Sequence, residues 1–307
     1  MRFLVVGAGS TGGYFGGRLA EAGRDVTFLV RPARAERLRQ TGLQIVSPHG
    51  DATFSPKLVT ADTVTGPFDV VLLTVKAFSL AAALDDLAPA IGPETMILPV
   101  LNGMKHVDML KVRFGATALV GCVCKIATTL DDKGRIHQLT KLQDIAYGEM
   151  SGASSARIQR LDAEMQGAGF DARLSTTIAR EMWEKWVMLA TLGGVTCLMR
   201  GNIGEIARAA GGRDFSLAFL NEVASVVTAV GEAPSEGFLA ATRDMITQTE
   251  SSQTSSMYRD LQNGHPVEVE QIIGDLLARA GQARIATPLL AAAYTHLSVY
   301  QDRLKAR

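Results

Sequence analysis

The fold is decided by the stretch RFLVVGAGSTGGYFGGRLAEAGRDVTFLV, residues 2–30. RFLVV is a short, β-branched apolar run and predicts a buried strand. GAGSTGGYFGG is a glycine-rich turn that leads into GRLAEAG, a helix that stops at Gly23. DVTFLV is a second apolar run and a second buried strand. Strand, turn, helix and strand in so short a span make a βαβ unit at the head of a doubly wound sheet.

The pattern continues outward. DVVLLTVK (69–76) is apolar without alternation, as a parallel strand covered on both faces should be. SLAAALDDLAPAIG follows as a helix and TMILPVLNG (95–103) as another strand. TALVGCVCKIATTL and GRIHQLTKLQDIAYGE read as later strands joined by the turn DDKG. From Ser175 the texture changes: IAREMWEKWVMLATL, FSLAFLNEVASVVTAVGE, FLAATRDMITQTESSQTSSMYRDLQ and VEQIIGDLLARAG all repeat apolar residues at three and four. The predicted architecture is α/β: an N-terminal Rossmann-type doubly wound sheet over residues 1–174, plus a C-terminal all-helical domain over residues 175–307.

Composition narrows the function. Lys+Arg and Asp+Glu both number 31 in 307 residues, so the formal net charge is zero. A neutral chain has no global electrostatic reason to bind nucleic acid or an anionic membrane. Three cysteines without CxxC spacing and five histidines without HExxH pairing indicate neither a disulfide framework nor a metal site. The N-terminus is not a signal peptide and no apolar run is long enough to span a membrane, so a cytoplasmic location is expected. The helical domain has apolar surface enough for a homodimer, but periodicity does not separate core from interface.

Gly7, Gly9 and Gly12 spell G-x-G-x-x-G in the strand–turn–helix context that the dinucleotide fingerprint needs. The loop Gly7, Ala8, Gly9, Ser10, Thr11, Gly12 is therefore the predicted cofactor cradle, with a helix N-terminus facing the pyrophosphate. The tip of the second strand chooses the cofactor. An NAD enzyme usually carries an acidic residue there; this chain reads FLVRPAR, with Arg31 at the tip and Arg34 close behind. A guanidinium grips a 2′-phosphate that a carboxylate would repel, so NADP(H) is expected. Lys76 and Asn102 lie at the ends of two further strands, where open α/β sheets bind ligands.

GAGSTG with Arg31, VKAF around Lys76, LNGM around Asn102, WEKW around Lys185 and SSMYRDLQNGHPVEVE (255–270) together resemble the ketopantoate reductases, over nearly the whole chain. The resemblance implies a Rossmann domain, a helical domain, NADPH as hydride donor and a small-molecule 2-oxo acid as substrate, most simply 2-dehydropantoate on the way to pantothenate. It makes Lys185 the catalytic lysine and Glu268 the acidic residue beside substrate and lysine. Ser256 matches a substrate-binding serine. Asn102 and Lys76 match residues at the nicotinamide end, and Asn202 matches an asparagine before the family's glycine-glutamate step. A lysine ammonium stabilises charge on a carbonyl oxygen and then protonates it.

Each assignment has a plainer reading. Glu181 lies four residues before Lys185, as in a surface ion pair, and Glu268 follows a turn and suits a helix N-terminus. The pattern also breaks. Where the family usually has asparagines four and eight residues after the lysine, this chain has Leu189 and Gly193, with Gly194 in place of a proline. The expected site is roomier at Gly193 and more apolar at Leu189. Two rivals therefore stand beside the simplest reading: the same chemistry on a bulkier or less polar carbonyl compound, and a non-catalytic NADP-binding sensor. Arg259, Lys125 and His265 are further candidates to meet a substrate carboxylate.

Overall fold

The computed structural model describes residues 1–306, which divide into two compact units. The first comprises Met1–Leu101 and His106–Ala179; the second comprises Asn102–Lys105 and the chain from Arg180 onward. The division thus falls a few residues beyond Leu174, and it assigns the short turn after the last strand of the main sheet to the helical unit.

In chain order the first unit is built from β1 (Arg2–Val6), α1 (Ser10–Glu21), β2 (Asp25–Leu29), α2 (Pro32–Thr41), β3 (Leu43–Val46), β4 (Ala52–Phe54), β5 (Lys57–Val59), β6 (Val70–Leu73), α3 (Leu80–Leu87), β7 (Met96–Pro99), α4 (Lys105–Phe114), β8 (Val120–Leu130), β9 (Ile136–Glu149), α5 (Ala156–Met165) and β10 (Asp171–Leu174). The main sheet has the order β5-β2-β1-β6-β7, with every pair parallel. This is a doubly wound arrangement that turns back at β1. In its register Val6 pairs with both Leu29 and Leu73, and Leu73 pairs with Pro99. The loops that follow these four strands therefore start from one edge of the sheet.

A second, mixed sheet has the order β10-β9-β3-β4, with β8 antiparallel to β9. Helix α1 fits between the two sheets because its glycines leave room on both sides. A Cβ on Gly16 would come within 2.7 Å of Val5 and 2.8 Å of Phe28, whereas one on Gly13 or Gly17 would strike Ile136 at 2.4 Å or Ile45 at 2.7 Å. Tyr14, Phe15 and Leu19 fill the remaining gaps and are fully buried. Phe15 meets Phe170 edge-on, with ring centroids 5.1 Å apart. The glycine-rich run thus serves packing as well as ligand approach.

The second unit contains α6 (Ile178–Met199), α7 (Ile203–Arg208), α8 (Gly212–Val230), α9 (Glu236–Ile246), α10 (Ser256–Gln262), a π-helical turn (Glu270–Gly274), α11 (Asp275–Gln282) and α12 (Pro288–Lys305). Helix α6 is apolar on nearly every side, as a central helix must be; Trp186, Val187, Ala190 and Val195 are all at most 1% exposed. The Phe219 ring of α8 lies against Gly194, where a Cβ would sit 2.0 Å from the ring. A proline there has no room.

The sequence pattern joined residues 238–262 into one helix, but the chain leaves helix after Ile246 and resumes at Ser256. The stretch TQTESSQTSS offers no apolar repeat, and its hydroxyls compete for backbone hydrogen bonds. Ser255 restarts the helix by accepting the Tyr258 amide proton at 2.9 Å. Cys122 and Cys197 are buried, Cys124 half-buried, and all three are free thiols. Burial pushes the Cys197 thiol up to about 12. Among the described residues no helix is long and apolar enough to cross a membrane.

Candidate active site

The glycine loop after β1 has a braced floor and an open face. Gly7 adopts φ +96°, a conformation that side chains rarely take. Thr74, just past β6, donates its hydroxyl to the carbonyls of Val6 and Gly7, both at 2.9 Å. A Cβ on Gly12 would fall 2.0 Å from that hydroxyl and 2.3 Å from the Gly7 carbonyl, so only glycine lets α1 start this close to the sheet. Gly9 is the opposite case: a Cβ there would meet nothing within 4 Å. Gly9 is also the N-cap of α1, without a side-chain cap and with no acidic residue in the first turn. Open space, unpaired first-turn amides and a positive helix end fit a pyrophosphate at this loop.

Arginines surround the tip of β2. Arg31 is exposed, precedes Pro32 at the start of α2, and donates from Nη2 to the Ser79 hydroxyl at 3.2 Å. Arg34 faces the other way. It is half-buried and donates to the Ala8 carbonyl from Nε at 3.3 Å and from Nη2 at 3.1 Å, with a further bond to the Gly134 carbonyl. It therefore supports the glycine loop from behind. Neither that role nor Thr74's had any local signal in the sequence. Lys76 is exposed, in extended conformation just after β6.

In the helical unit the central element is α6. Lys185 is half-buried, and Trp183 and Trp186 of the same helix are buried. The Trp186 indole donates to the Ile272 carbonyl at 2.9 Å, tying α6 to the π-helical turn. The Arg279 guanidinium lies 5.7 and 5.6 Å from the Trp183 and Trp186 ring centroids, within cation–π range of both.

Glu268 sits two residues before this turn and accepts a hydrogen bond from Asn102 Nδ2 at 3.2 Å. The contact is possible because Gly103 turns with φ +79° directly against Gln271, where a Cβ would lie 2.2 Å from the backbone carbonyl. LNG is thus a docking turn, and it brings together Asn102 and Glu268, 166 residues apart in sequence. Single-turn π segments of this kind recur at functional sites.

Ser256 is exposed at the start of α10; its neighbour Ser255 is buried and shares a hydrogen bond with Thr196 at 2.8 Å. Asn202 has a structural task. Its Oδ1 accepts the Glu205 amide proton at 2.9 Å and Glu205 accepts the Asn202 amide proton at 2.8 Å, a complete capping box for α7. The space over Gly193 is not empty: a Cβ there would fall 2.6 Å from the Met257 Cε. The roomier site expected at this position is corrected by that methyl, which no helical-spacing argument could have placed.

Two family models cover most of the chain: "Ketopantoate reductase PanE/ApbA" matches residues 3–152 and "Ketopantoate reductase PanE/ApbA C terminal" matches residues 177–301. The chain belongs to the ketopantoate reductase family. It is an oxidoreductase with the fold of that family. Over 301 residues it is 36% identical to "Uncharacterized oxidoreductase YkpB" of Bacillus subtilis, covering 98% of this chain and 99% of that one. It is 28% identical to the 2-dehydropantoate 2-reductase of Halobacterium salinarum, covering 94% and 95%. The crystal structure of 2-dehydropantoate 2-reductase from Geobacter metallireducens superposes with a TM-score of 0.85 at 27% identity, covering 97% and 99%. The ketopantoate reductase resemblance read from VKAF, LNGM, WEKW and the 255–270 block thus holds at the level of the family.

Proposed function

We propose that this protein reduces the carbonyl of a 2-oxo acid to the hydroxyl of a 2-hydroxy acid, with NADPH as cofactor. The reading rests on one observation above the rest: Lys185 is a half-buried cation, the last charge of the central helix before an uncharged run to its end, in a chain of this family. The cofactor supplies a hydride to the carbonyl carbon. The Lys185 ammonium hydrogen-bonds the carbonyl oxygen, stabilises the negative charge that grows there, and delivers the proton that completes the hydroxyl. Asn102 orients Glu268, whose carboxylate accepts from the lysine and from the hydroxyl of the product. The Ser256 hydroxyl donates to the substrate carboxylate. Asn202, spent on its helix cap, is left out of the set.

On the cofactor side, the Gly7–Gly12 loop takes the pyrophosphate over Gly9. Arg31 pairs with a 2′-phosphate, and Lys76 lies at the next strand tip along the edge. The exposed Arg31 guanidinium and the absence of an acidic residue at the β2 tip support NADP(H) over NAD(H). 2-Dehydropantoate, the substrate in the names of the Halobacterium and Geobacter relatives, is the first compound to assay, and it would place the reaction in pantothenate synthesis in the cytoplasm.

The test follows nicotinamide absorbance with NADPH or NADH and a panel of 2-oxo acids. Oxidation of NADPH is expected. Lys185→Ala should lower kcat by a factor on the order of 10²–10⁴, the usual contribution of a positioned acid, while NADPH binding stays intact. Unchanged turnover in Lys185→Ala, or a preference for NADH, overturns the assignment.

A further inference from the structure

The Ala8 carbonyl is the point at which α2 and the β8–β9 hairpin grip the glycine loop. Nε and Nη2 of Arg34 both donate to it, at 3.3 and 3.1 Å, and Nη2 also donates to the Gly134 carbonyl at 3.3 Å. Gly134 lies in the turn between β8 and β9, where its own amide donates to the Asp131 carbonyl at 2.8 Å. The fit is close: a Cβ on Gly134, which has φ +74°, would fall 2.7 Å from Arg34 Nη1. Arg37, one helical turn on, donates to the Asp132 carbonyl of the same turn at 2.6 Å. The Arg34 guanidinium is therefore fixed between the hairpin tip and the glycine loop.

The Ala8–Gly9 peptide is trans, so its carbonyl and its N–H point in opposite directions. With Arg34 on the carbonyl, the Gly9 N–H is aimed away from the guanidinium. That N–H has no hydrogen-bond partner among the described residues, and the space at Gly9 is open. Charged donors on a peptide carbonyl also polarise the peptide and make its N–H a stronger donor. Net charge adds to this. Burial, and then the neighbouring Arg37, lower the Arg34 pKa, yet a guanidinium keeps its proton. Among the described residues the partners of Arg34 and Arg37 are backbone carbonyls, not carboxylates, so an anion at the loop would meet positive charge that nothing else neutralises. We infer that Arg34 is a positioning residue for the pyrophosphate of the cofactor: through the Ala8 carbonyl it presents the Gly9 N–H to a phosphate oxygen, with its own charge behind that peptide. This rests on the dinucleotide reading of the loop and deepens it. The role differs from that of Arg31, because the pyrophosphate is common to NADPH and NADH while the 2′-phosphate is not.

The experiment separates the two phosphate groups. ADP-ribose carries the pyrophosphate without a 2′-phosphate, and 2′-AMP carries the reverse. Titration calorimetry with both, and with NADPH and NADH, compares wild type with two variants. Arg34→Met keeps the apolar stem and loses every donor; Arg34→Lys keeps a charged donor on one atom instead of three. Arg34→Met should weaken ADP-ribose, NADPH and NADH by a common factor of about ten- to a hundredfold, the usual effect of losing one charged hydrogen bond, while 2′-AMP binds as it does to wild type. Arg34→Lys should recover part of the loss. Wild-type ADP-ribose affinity in Arg34→Met overturns the inference and leaves the dinucleotide reading standing. An equal loss of 2′-AMP and ADP-ribose overturns it as well, since Arg34 would then serve only to keep the loop folded. Wild-type protein that binds none of the four ligands overturns the dinucleotide reading itself.

Discussion

Gly9 and Gly12 are three residues apart in one loop, yet alanine should act on them in opposite ways. At Gly12 the new methyl would sit 2.0 Å from the Thr74 hydroxyl and 2.3 Å from the Gly7 carbonyl. Overpacking of that kind costs ~1–3 kcal/mol. Displacing Thr74 also breaks its bonds to the Val6 and Gly7 carbonyls, at ~0.5–1.5 kcal/mol each. The sum, about 2–6 kcal/mol, should lower the melting temperature by on the order of 10 °C in a unit of this size.

At Gly9 the backbone is extended, at φ −79° and ψ −167°, and the methyl would meet no protein atom within 4 Å. Gly9→Ala should therefore melt with wild type. It should bind NADPH less tightly, because the methyl stands where the pyrophosphate must approach the first-turn amides. Losing one charge-assisted bond there costs ~1.5–3 kcal/mol, roughly a ten- to hundredfold rise in Kd. Differential scanning fluorimetry and NADPH fluorescence titration on both variants give the two numbers. Wild-type NADPH affinity in a stable Gly9→Ala variant would refute the placement of the pyrophosphate, and a wild-type melting temperature for Gly12→Ala would refute the steric argument.

Two further outcomes follow from the first unit. Arg31→Ala should weaken NADPH binding about tenfold or more while leaving NADH binding nearly unchanged, since a charged hydrogen bond of ~1.5–3 kcal/mol is lost only with the 2′-phosphate; equal losses for both cofactors would remove Arg31 from that role. Arg157, aided by Ser155, holds the Glu149 carboxyl below the usual carboxylate range. A depressed folded pKa gives stability that is present above the unfolded value and lost as pH falls through the folded one. Glu149→Gln should thus melt below wild type at pH 7, and the gap should close on acidification below about pH 4. A gap that does not narrow would mean that the pair contributes through packing alone.

Much of this protein is legible in its sequence because it is written in local chemistry. Short continuous apolar runs bounded by turn signals read as buried strands, and glycines at the end of the first one suit a tight approach. Arg31 is visible as a cation at a strand tip, and Lys185 as the last charge before a long apolar run. Motif blocks such as LNGM and WEKW carry the family. What the sequence leaves open is whatever depends on residues far apart in the chain. The pairing of Asn102 with Glu268 needs the Gly103 turn to dock on Gln271. The bracing of the glycine loop by Thr74 and Arg34 has no sequence-local sign, because backbone carbonyls attract donors from anywhere in the fold. Asn202 reads as a ligand in sequence, and its capping of α7 through Oδ1 shows only in space. Gly193 shows the limit most plainly: a missing side chain predicts a hole, but volume is filled by neighbours in three dimensions, and Met257, 64 residues later, closes it with a methyl group.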